Sequence, residues 1–161
     1  MTAASMGGTE YVLSRSPFVV RRHVSWSDCD PAGVVFTGRF SDYLLGAVIL
    51  FMRELADGSW HRYVDSLGID TPCKGMTFEF SHALWPDDEV DITVEVGEIR
   101  SRSFDMVITA RRAEGTIAFT GTFSPVCIAQ GERRAVAIPD ALRARLDSYR
   151  RNEPGNRSMQ Q

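Results

Sequence analysis

Two aspartates separated by one residue, Asp28 and Asp30, are the side chains that the sequence places best for chemistry. They end a segment of alternating apolar residues, and Pro31 and Gly33, residue types that stop strands and form turns, follow at once. An aspartate with an ordinary pKa of about 3.9 is ionised at neutral pH, so it can attack a carbonyl carbon or take a proton from water. The sequence leaves these two roles open.

A long apolar segment follows the turn and predicts a helix from about Thr37 to Ala56. Thr37 is a suitable N-cap, and Gly58 lies where a left-handed residue commonly ends a helix. Residues 43–52 are apolar on every face, which is typical of a helix buried on most sides, and Gly46 within them predicts the close approach of another backbone. The start of such a helix supplies unpaired N–H groups and about half a positive charge, which favour a developing oxyanion.

Segments with the two-residue period of strands flank this helix. Residues 18–26 alternate before it, although Arg22 interrupts their apolar face and therefore predicts an edge or partly solvated strand. Short turns join the strands predicted after the helix, near residues 76–81, 90–96, 104–109, 117–123 and 135–138. Short helices are predicted at 59–67 and 141–150. The order predicts an α+β domain, with a curved antiparallel sheet of about five or six strands wrapped around one long central helix.

Residues 17–150 are predicted to form this single domain. Residues 1–16 lack periodicity and are expected to be a flexible N-terminal arm, and the polar segment 151–161 is expected to be a disordered tail. A net charge of −3 gives no general reason to expect nucleic acid or an anionic membrane as a partner.

Cellular location is inferred from the cysteines and the apolar runs. Three cysteines at wide spacing outline neither a disulfide framework nor a metal knuckle, and they fit a reducing cytosol. The first nine residues do not resemble a secretory signal. The longest apolar run, Leu44–Met52, is far shorter than the roughly 20 residues of a membrane helix. We therefore expect a soluble, cytoplasmic protein that requires no metal and no cofactor.

The stretch 28–36, Asp-Cys-Asp-Pro-Ala-Gly-Val-Val-Phe, lies at the turn between strand and helix. With the predicted order of elements, it resembles the hotdog-fold acyl-CoA thioesterases, and most closely the 4-hydroxybenzoyl-CoA thioesterase type. The resemblance covers about residues 18–140. A second segment, Glu98–Phe104, resembles the basic turn with which that family holds the phosphates of coenzyme A.

Roles for individual residues follow from this resemblance. It implies that Asp30 is the catalytic carboxylate and that the backbone N–H of Thr37 polarises the thioester carbonyl. Five further residues are predicted to bind the substrate, the last three of them at nucleotide-binding positions: Gly33, Val34, Arg100, Arg102 and Ser103. Asp28 is expected to be structural, and His23 is expected to be a surface residue.

Three positions depart from the type enzyme. Thr37 replaces a tyrosine, Arg39 an asparagine and Ser101 an arginine. A backbone N–H survives the change at Thr37, whereas the identity of the acyl group does not carry over. The resemblance also implies a homodimer or homotetramer with sites between subunits.

The expected activity is hydrolysis of an aryl- or short- to medium-chain acyl-CoA, with an acyl-carrier protein as the other possible thiol carrier. One alternative is a hotdog-fold enoyl-thioester hydratase or dehydratase. Such sites usually pair a carboxylate with a histidine, and His23, His61 and His82 all lie away from Asp30 in sequence. The other alternative is a non-catalytic module that binds acyl-CoA or an acyl-carrier protein.

Overall fold

The computed structural model describes residues 8–151. Within this range, two short 3₁₀ turns, Trp26–Asp28 and Thr37–Arg39, separate the second strand from the first helix. The strands and helices are, in chain order, β1 Glu10–Arg15, β2 Phe18–His23, α1 Phe40–Leu55, α2 Trp60–Ser66, β3 Ile69–Asp70, β4 Cys73–Phe80, β5 Glu89–Ile99, β6 Phe104–Arg112, β7 Ile117–Pro125, β8 Ile128–Ala129 and α3 Asp140–Asp147.

Six strands form one antiparallel sheet in the order β1-β2-β5-β6-β7-β4, and β3 pairs with β8 in a separate two-stranded sheet. Alternate residues of β5 and β6 are buried, because their side chains point from one face of the sheet towards α1. The predicted α+β architecture, an antiparallel sheet packed on one long helix, is confirmed. The strand predicted at 135–138 is reduced to a single bridge between Ala135 and Ile128.

Helix α1 packs tightly against the sheet at Gly121 of β7. A Cβ atom at this position would stand 2.6 Å from the backbone oxygen of Thr77 and 2.8 Å from a methyl carbon of Leu44. The first neighbour belongs to β4 and the second to α1, so only a residue without a side chain fits between strand and helix. Leu44 is completely buried at this contact.

Both ends of α1 differ from the prediction. The first turn is a 3₁₀ turn because its hydrogen bonds join residues three apart, from Arg39 N–H to the oxygen of Phe36 and from Phe40 N–H to that of Thr37. Thr37 therefore begins that turn and makes no side-chain cap. At the other end, Asp57 takes the left-handed conformation first, with φ 52°, and Gly58, the residue expected to end the helix, follows with φ 139°.

The helix is also less enclosed than its apolar sequence predicts. The sheet covers one side, while Ile49 on the opposite side is 56% exposed. The close approach predicted at Gly46 is made by the side chain of Glu10, not by another backbone.

Strand β1 corrects the prediction for residues 1–16. Residues 10–15 pair with β2 in antiparallel register, with Val12 opposite Val20. The strand escaped prediction because it lies at the sheet edge, where Tyr11 and Leu13 remain exposed and the apolar alternation is not buried. Residues 1–7 and 152–161 lie outside the described residues, so those parts of the predicted arm and tail are not addressed.

Of the two possibilities that Arg22 indicated, an edge strand or a partly solvated one, the first is wrong, because β2 lies between β1 and β5. Strand β2 ends at His23, before the predicted end at residue 26, and Trp26 is 76% exposed. Among residues 8–151, no helix is long and apolar enough to cross a membrane.

Candidate active site

The turn between β2 and α1 is a tight hairpin. Cys29 and Val35 form an antiparallel bridge, the N–H of Asp30 donates to the oxygen of Val34 at 2.9 Å, and the N–H of Phe36 donates to the oxygen of Asp28 at 2.9 Å. The segment 31–33 forms the tip of the hairpin. The arm that carries Asp30 and the arm that leads into Thr37 are therefore held side by side.

Gly33 closes the tip. Its φ of +83° lies in the left-handed region, and its N–H donates to the oxygen of Asp30 at 2.9 Å. Gly33 and Val34, both predicted to contact substrate, are partly exposed here, directly beside Asp30.

The carboxylate of Asp30 is partly exposed, and its Oδ1 accepts the N–H of Ala32 at 2.8 Å. This bond is the one expected of an aspartate that forms a turn. Among the described residues, none donates a hydrogen bond to Oδ2. The turn therefore orients the carboxylate through one oxygen and leaves the other available for chemistry.

Thr37 presents its backbone N–H at the start of the helical segment. The residue is exposed, and no acceptor within residues 8–151 bonds this N–H. Phe36, just before it, has extended backbone angles of φ −63° and ψ 135°. The 3₁₀ turn and α1 follow directly, so the N–H lies at the positive end of the helix dipole.

Asp28 is buried at 6% exposure and faces the core, not the solvent. Its Oδ2 accepts the hydroxyl of Tyr43 at 2.8 Å and the N–H of Ser25 at 3.3 Å. Burial and the hydrogen bond to Asp28 raise the pKa of Tyr43, which therefore stays protonated and donates. Asp28 holds the hairpin to α1, and the structure shows no open face through which it would reach a substrate.

Sequence reasoning missed the groups that surround Asp28. The guanidinium of Arg22 lies over the ring of Tyr43 at 4.4 Å, with Nη2 3.9 Å from Asp28 Oδ2. Its Nη1 donates to Oε2 of Glu10 at 3.1 Å. The signal available in the sequence was Arg22 itself, a charged residue on the apolar face of a strand.

Cys29 lies between the two aspartates with its thiol hydrogen-bonded to the oxygen of Ser25 at 3.7 Å. Burial, followed by the charges of Asp28 and Asp30, raises the pKa of this thiol. It is therefore a weak nucleophile at neutral pH.

The three residues predicted to hold phosphates share one turn, but their side chains have different environments. Arg100 donates two hydrogen bonds to Asp105, at 2.9 and 2.7 Å, and one to Glu98 at 3.0 Å. Ser103 is buried at 5% exposure and bridges to Val126. Arg102 alone of the predicted three has an exposed side chain that makes no ion pair within the described residues. Arg100 and Ser103 instead shape the turn, because Arg100 N–H donates to the oxygen of Ser103 at 2.8 Å.

The remaining polar candidates are on the surface. His23 is exposed, with Nε2 3.5 Å from Asp87, and Arg39 is exposed, with Nη1 3.3 Å from Asp42. Within residues 8–151, no group of three or more His, Cys, Asp or Glu side chains has an arrangement that would hold a metal ion.

An aromatic cluster, formed by Phe40, Phe78, Phe80 and Phe119, lies at the start of α1 and was not predicted as a unit. Phe40 packs edge-on against Phe80 at 4.9 Å and against Phe119 at 5.3 Å, and Phe78 stacks parallel to Phe80 at 5.9 Å. Phe80 is about half exposed. The cluster therefore presents the exposed ring of Phe80 next to the buried first residue of α1.

The sequence is similar to a family of enzymes over most of its length. The profile of the Thioesterase-like superfamily matches residues 24–146. No curated protein matches the chain significantly.

Solved structures show the same fold. A 1,4-dihydroxy-2-naphthoyl-CoA thioesterase from Synechocystis superposes with a TM-score of 0.72 at 19% identity, covering 81% of this chain and 95% of its own. A gentisyl-coenzyme A thioesterase superposes with a TM-score of 0.67 at 23% identity, covering 80% of this chain and 98% of its own. A hypothetical protein from Staphylococcus aureus in complex with CoA superposes with a TM-score of 0.76 at 16% identity, covering 93% of this chain and 90% of its own. These likenesses confirm the predicted hotdog fold.

Proposed function

Because the chain belongs to the thioesterase-like superfamily, we propose that it hydrolyses an acyl-CoA thioester to the free acid and coenzyme A. Asp30 acts as nucleophile or general base, and the backbone N–H of Thr37 polarises the thioester carbonyl. One observation carries the proposal: a carboxylate oxygen and a helix-terminal N–H, both without partners among the described residues, lie on the two arms of one hairpin.

These groups support two reaction routes, each with a full account of the bonds formed and broken. In the first, the Asp30 carboxylate adds to the carbonyl carbon, the C–S bond breaks, coenzyme A leaves as thiolate, and water hydrolyses the mixed anhydride. In the second, Asp30 takes a proton from a water molecule as that water adds to the same carbon; the C–S bond then breaks, coenzyme A leaves as thiolate, and Asp30 returns the proton to it. In both routes the carbonyl oxygen becomes negative, and the Thr37 N–H donates to it.

The acyl group is proposed to be aryl or a short to medium chain. The aromatic cluster supports this proposal, because Phe80 offers an exposed ring beside the first residue of α1. Two of the similar structures are named for aryl-CoA substrates, and a third contains CoA. Gly33 and Val34 line the approach to the reacting carbon, and an acyl-carrier protein is the other candidate thiol carrier.

Coenzyme A is proposed to meet Arg102 through a phosphate. The exposed guanidinium of Arg102 is available for a charge-assisted bond, whereas that of Arg100 is held by Asp105 and Glu98. Arg100 and Ser103 contribute by fixing the backbone of the turn that presents Arg102.

The protein is proposed to form a homodimer through β4, or a homotetramer built from two such dimers. This strand is at the edge of the sheet and nearly every residue along it is exposed, including the apolar side chains of Met76 and Phe80. A free, apolar strand edge favours pairing with another strand, and a second copy of the same chain presents a matching edge. Because Phe80 belongs to the aromatic cluster, such an interface would place the partner beside the site.

A thiol-release screen tests the proposed activity. Wild-type protein is expected to release free thiol from at least one member of an aryl-, short-, medium- and long-chain acyl-CoA panel. Asp30→Asn, which keeps the size of the side chain, should lower kcat by at least about 100-fold. Asp87→Asn, a matched change on an exposed turn, should have no effect.

Other outcomes would contradict the proposal. Loss of an enoyl-CoA without release of thiol would indicate a hydratase. Tight binding of acyl-CoA or acyl-carrier protein without turnover would indicate a binding module. Wild-type activity in Asp30→Asn would remove Asp30 from the chemistry.

A further inference from the structure

Arg22 carries a charge into the apolar side of the sheet. Phe18 and Val20 of β2 point inward and are buried, and Arg22 is the next residue on the same face. Its side chain is only 14% exposed, and β1 and β5 flank its strand. A guanidinium in this position requires compensating partners, because burial of an unpaired charge is strongly unfavourable.

The nearer of its two carboxylate partners belongs to β1. Glu10 Oε2 accepts a hydrogen bond from Nη1 at 3.1 Å, whereas Asp28 Oδ2 is 3.9 Å from Nη2, beyond hydrogen-bond distance. Nε of Arg22 is buried and has no hydrogen-bond partner among the described residues. The guanidinium is therefore held towards Glu10 and away from Asp28.

The position of the Glu10 carboxylate depends on a glycine of α1. A Cβ atom at Gly46 would lie 2.9 Å from the carboxyl carbon of Glu10 and closer still to one of its oxygens. The side chain of Glu10 thus reaches Arg22 across a helix surface that has no side chain at that point.

Asp28 connects this charged group to both arms of the site. Its carboxylate is fixed by Tyr43 and Ser25, and its backbone oxygen accepts the N–H of Phe36, the residue before Thr37. Asp30 follows two residues after Asp28 on the same arm, opposite the arm that carries Phe36 and Thr37. A displacement of Asp28 would consequently move the carboxylate and the oxyanion donor together.

We propose that Glu10 is a positioning residue for the thioesterase site, acting through Arg22 on the hairpin that Asp28 anchors; this inference rests on the proposed function. Glu10 holds the guanidinium 3.9 Å from Asp28 and leaves Oδ2 to the hydroxyl of Tyr43. When the charge of Glu10 is removed, Asp28 is the remaining carboxylate within reach of Arg22. The guanidinium then competes with Tyr43 for the same oxygen and shifts the hairpin.

Two variants disturb Glu10 by independent means. Glu10→Gln removes its charge with little change of shape. Gly46→Ala leaves the charge but displaces the flexible carboxylate, and alanine favours the helix, so any loss of activity is not a loss of helix propensity. Arg15→Gln is the matched control, because it removes the ion pair of β1 with Glu54, away from Arg22.

Both variants should lower kcat by about 10- to 100-fold, since small displacements of reacting groups have effects of this size. KM should change by less than about twofold, because the lost interaction serves only the reacting geometry. Hydrogen exchange of residues 28–37 should accelerate. Arg15→Gln should leave kcat and this exchange unchanged.

A double-mutant cycle tests the route through Arg22. In an Arg22→Met background no guanidinium competes for Asp28, so Glu10→Gln should have no additional effect on kcat or on the exchange of residues 28–37. An undiminished effect in that background would overturn the proposal.

The remaining outcomes separate this inference from the proposed function. If wild type hydrolyses an acyl-CoA and Glu10→Gln matches it in kcat and in exchange, the positioning role is wrong. If wild type hydrolyses none of the panel, the proposed function fails. Hydrogen exchange alone then decides: acceleration in Glu10→Gln that Arg22→Met abolishes supports the control of the hairpin by Glu10, and an unchanged rate overturns it.

Discussion

The backbone N–H of Thr37 and its side chain have separable roles in the proposed site. The N–H is the candidate oxyanion donor, while the exposed hydroxyl makes no cap to the helix. Substitution can test this separation, because proline lacks an N–H and is well accepted at the first position of a helix.

Thr37→Pro should lower kcat by about 100- to 1000-fold, the effect of losing one oxyanion donor. The extended backbone of Phe36, with φ −63° and ψ 135°, is already the conformation that a residue before proline prefers. Thr37→Ala keeps the N–H and should retain most of the wild-type kcat in the same thiol-release assay. Equal loss in both variants would assign the effect to the side chain instead.

Asp105 should make the free energy of unfolding depend on pH in the acid range. The hydrogen bonds from Arg100 lower its pKa, burial opposes this, and Ser124 adds a further bond. The folded pKa is below the unfolded one, so the stabilisation is present above the unfolded value of about 3.8 and is lost as the pH falls through the folded value. Asp105→Asn should therefore destabilise more near neutral pH than at about pH 3.

Urea unfolding of wild type and Asp105→Asn at the two pH values measures this difference. The exposed Asp87→Asn variant is its control. A destabilisation of Asp105→Asn that is the same at both pH values would contradict the lowered pKa.

At the scale of elements, the contact between α1 and the sheet depends on Gly121. A side chain there would meet the backbone oxygen of Thr77, which paired strands hold in place. Gly121→Ala should reduce the free energy of unfolding by about 1–3 kcal/mol, as overpacking a core typically does.

Gly75 provides the comparison, because a Cβ atom there would have nothing within 4 Å. Denaturant unfolding should show a much smaller effect for Gly75→Ala. If the two alanine variants were equally stable, the separation of α1 from the sheet would not be set at Gly121.

The main sheet and α1 could be predicted from sequence patterns. Apolar residues alternate along strands that bury one face, and the apolar run of α1 corresponds to a helix that is largely buried. These patterns failed where long-range pairing decides the structure. Arg22 indicated an edge strand by its charge, but β1 covers that edge and Glu10 balances the charge. The hairpin was found from its local residues, whereas Tyr43, 15 residues from Asp28, entered only through tertiary contact.

The basic turn shows the limit of predicting a site by position. Arg100, Arg102 and Ser103 lie within four residues of each other in sequence, yet one is held by Asp105, one is exposed and one is buried. The register of β6 and β7 decides between these environments, and it brings Ser124 to Asp105.

At the scale of the whole molecule, the two edges of the sheet differ. β1 exposes Tyr11 and Leu13, but Glu10 and Arg15 tie it to neighbouring elements through ion pairs. β4 exposes nearly all its residues. We therefore assign the proposed subunit contact to β4.

Met76→Lys should weaken self-association at least about tenfold, because it would bury an unpaired charge in the proposed interface. Light scattering over a range of protein concentrations measures the change. Ile49→Lys places the same charge on an exposed apolar residue of α1 and should leave the association intact. Dissociation by Ile49→Lys but not by Met76→Lys would move the interface to the helix.

The location of Cys29 between Asp28 and Asp30 makes the hairpin accessible to vibrational spectroscopy. Conversion of this thiol to a thiocyanate, after Cys73 and Cys127 are replaced by serine, would place a nitrile bond in the hairpin, where the charges of Asp28 and Asp30 act on the thiol. Its stretching frequency depends on the local electric field. The frequency difference between this protein and its Asp30→Asn form would measure directly the field that an ionised Asp30 exerts at the hairpin, before any substrate is bound.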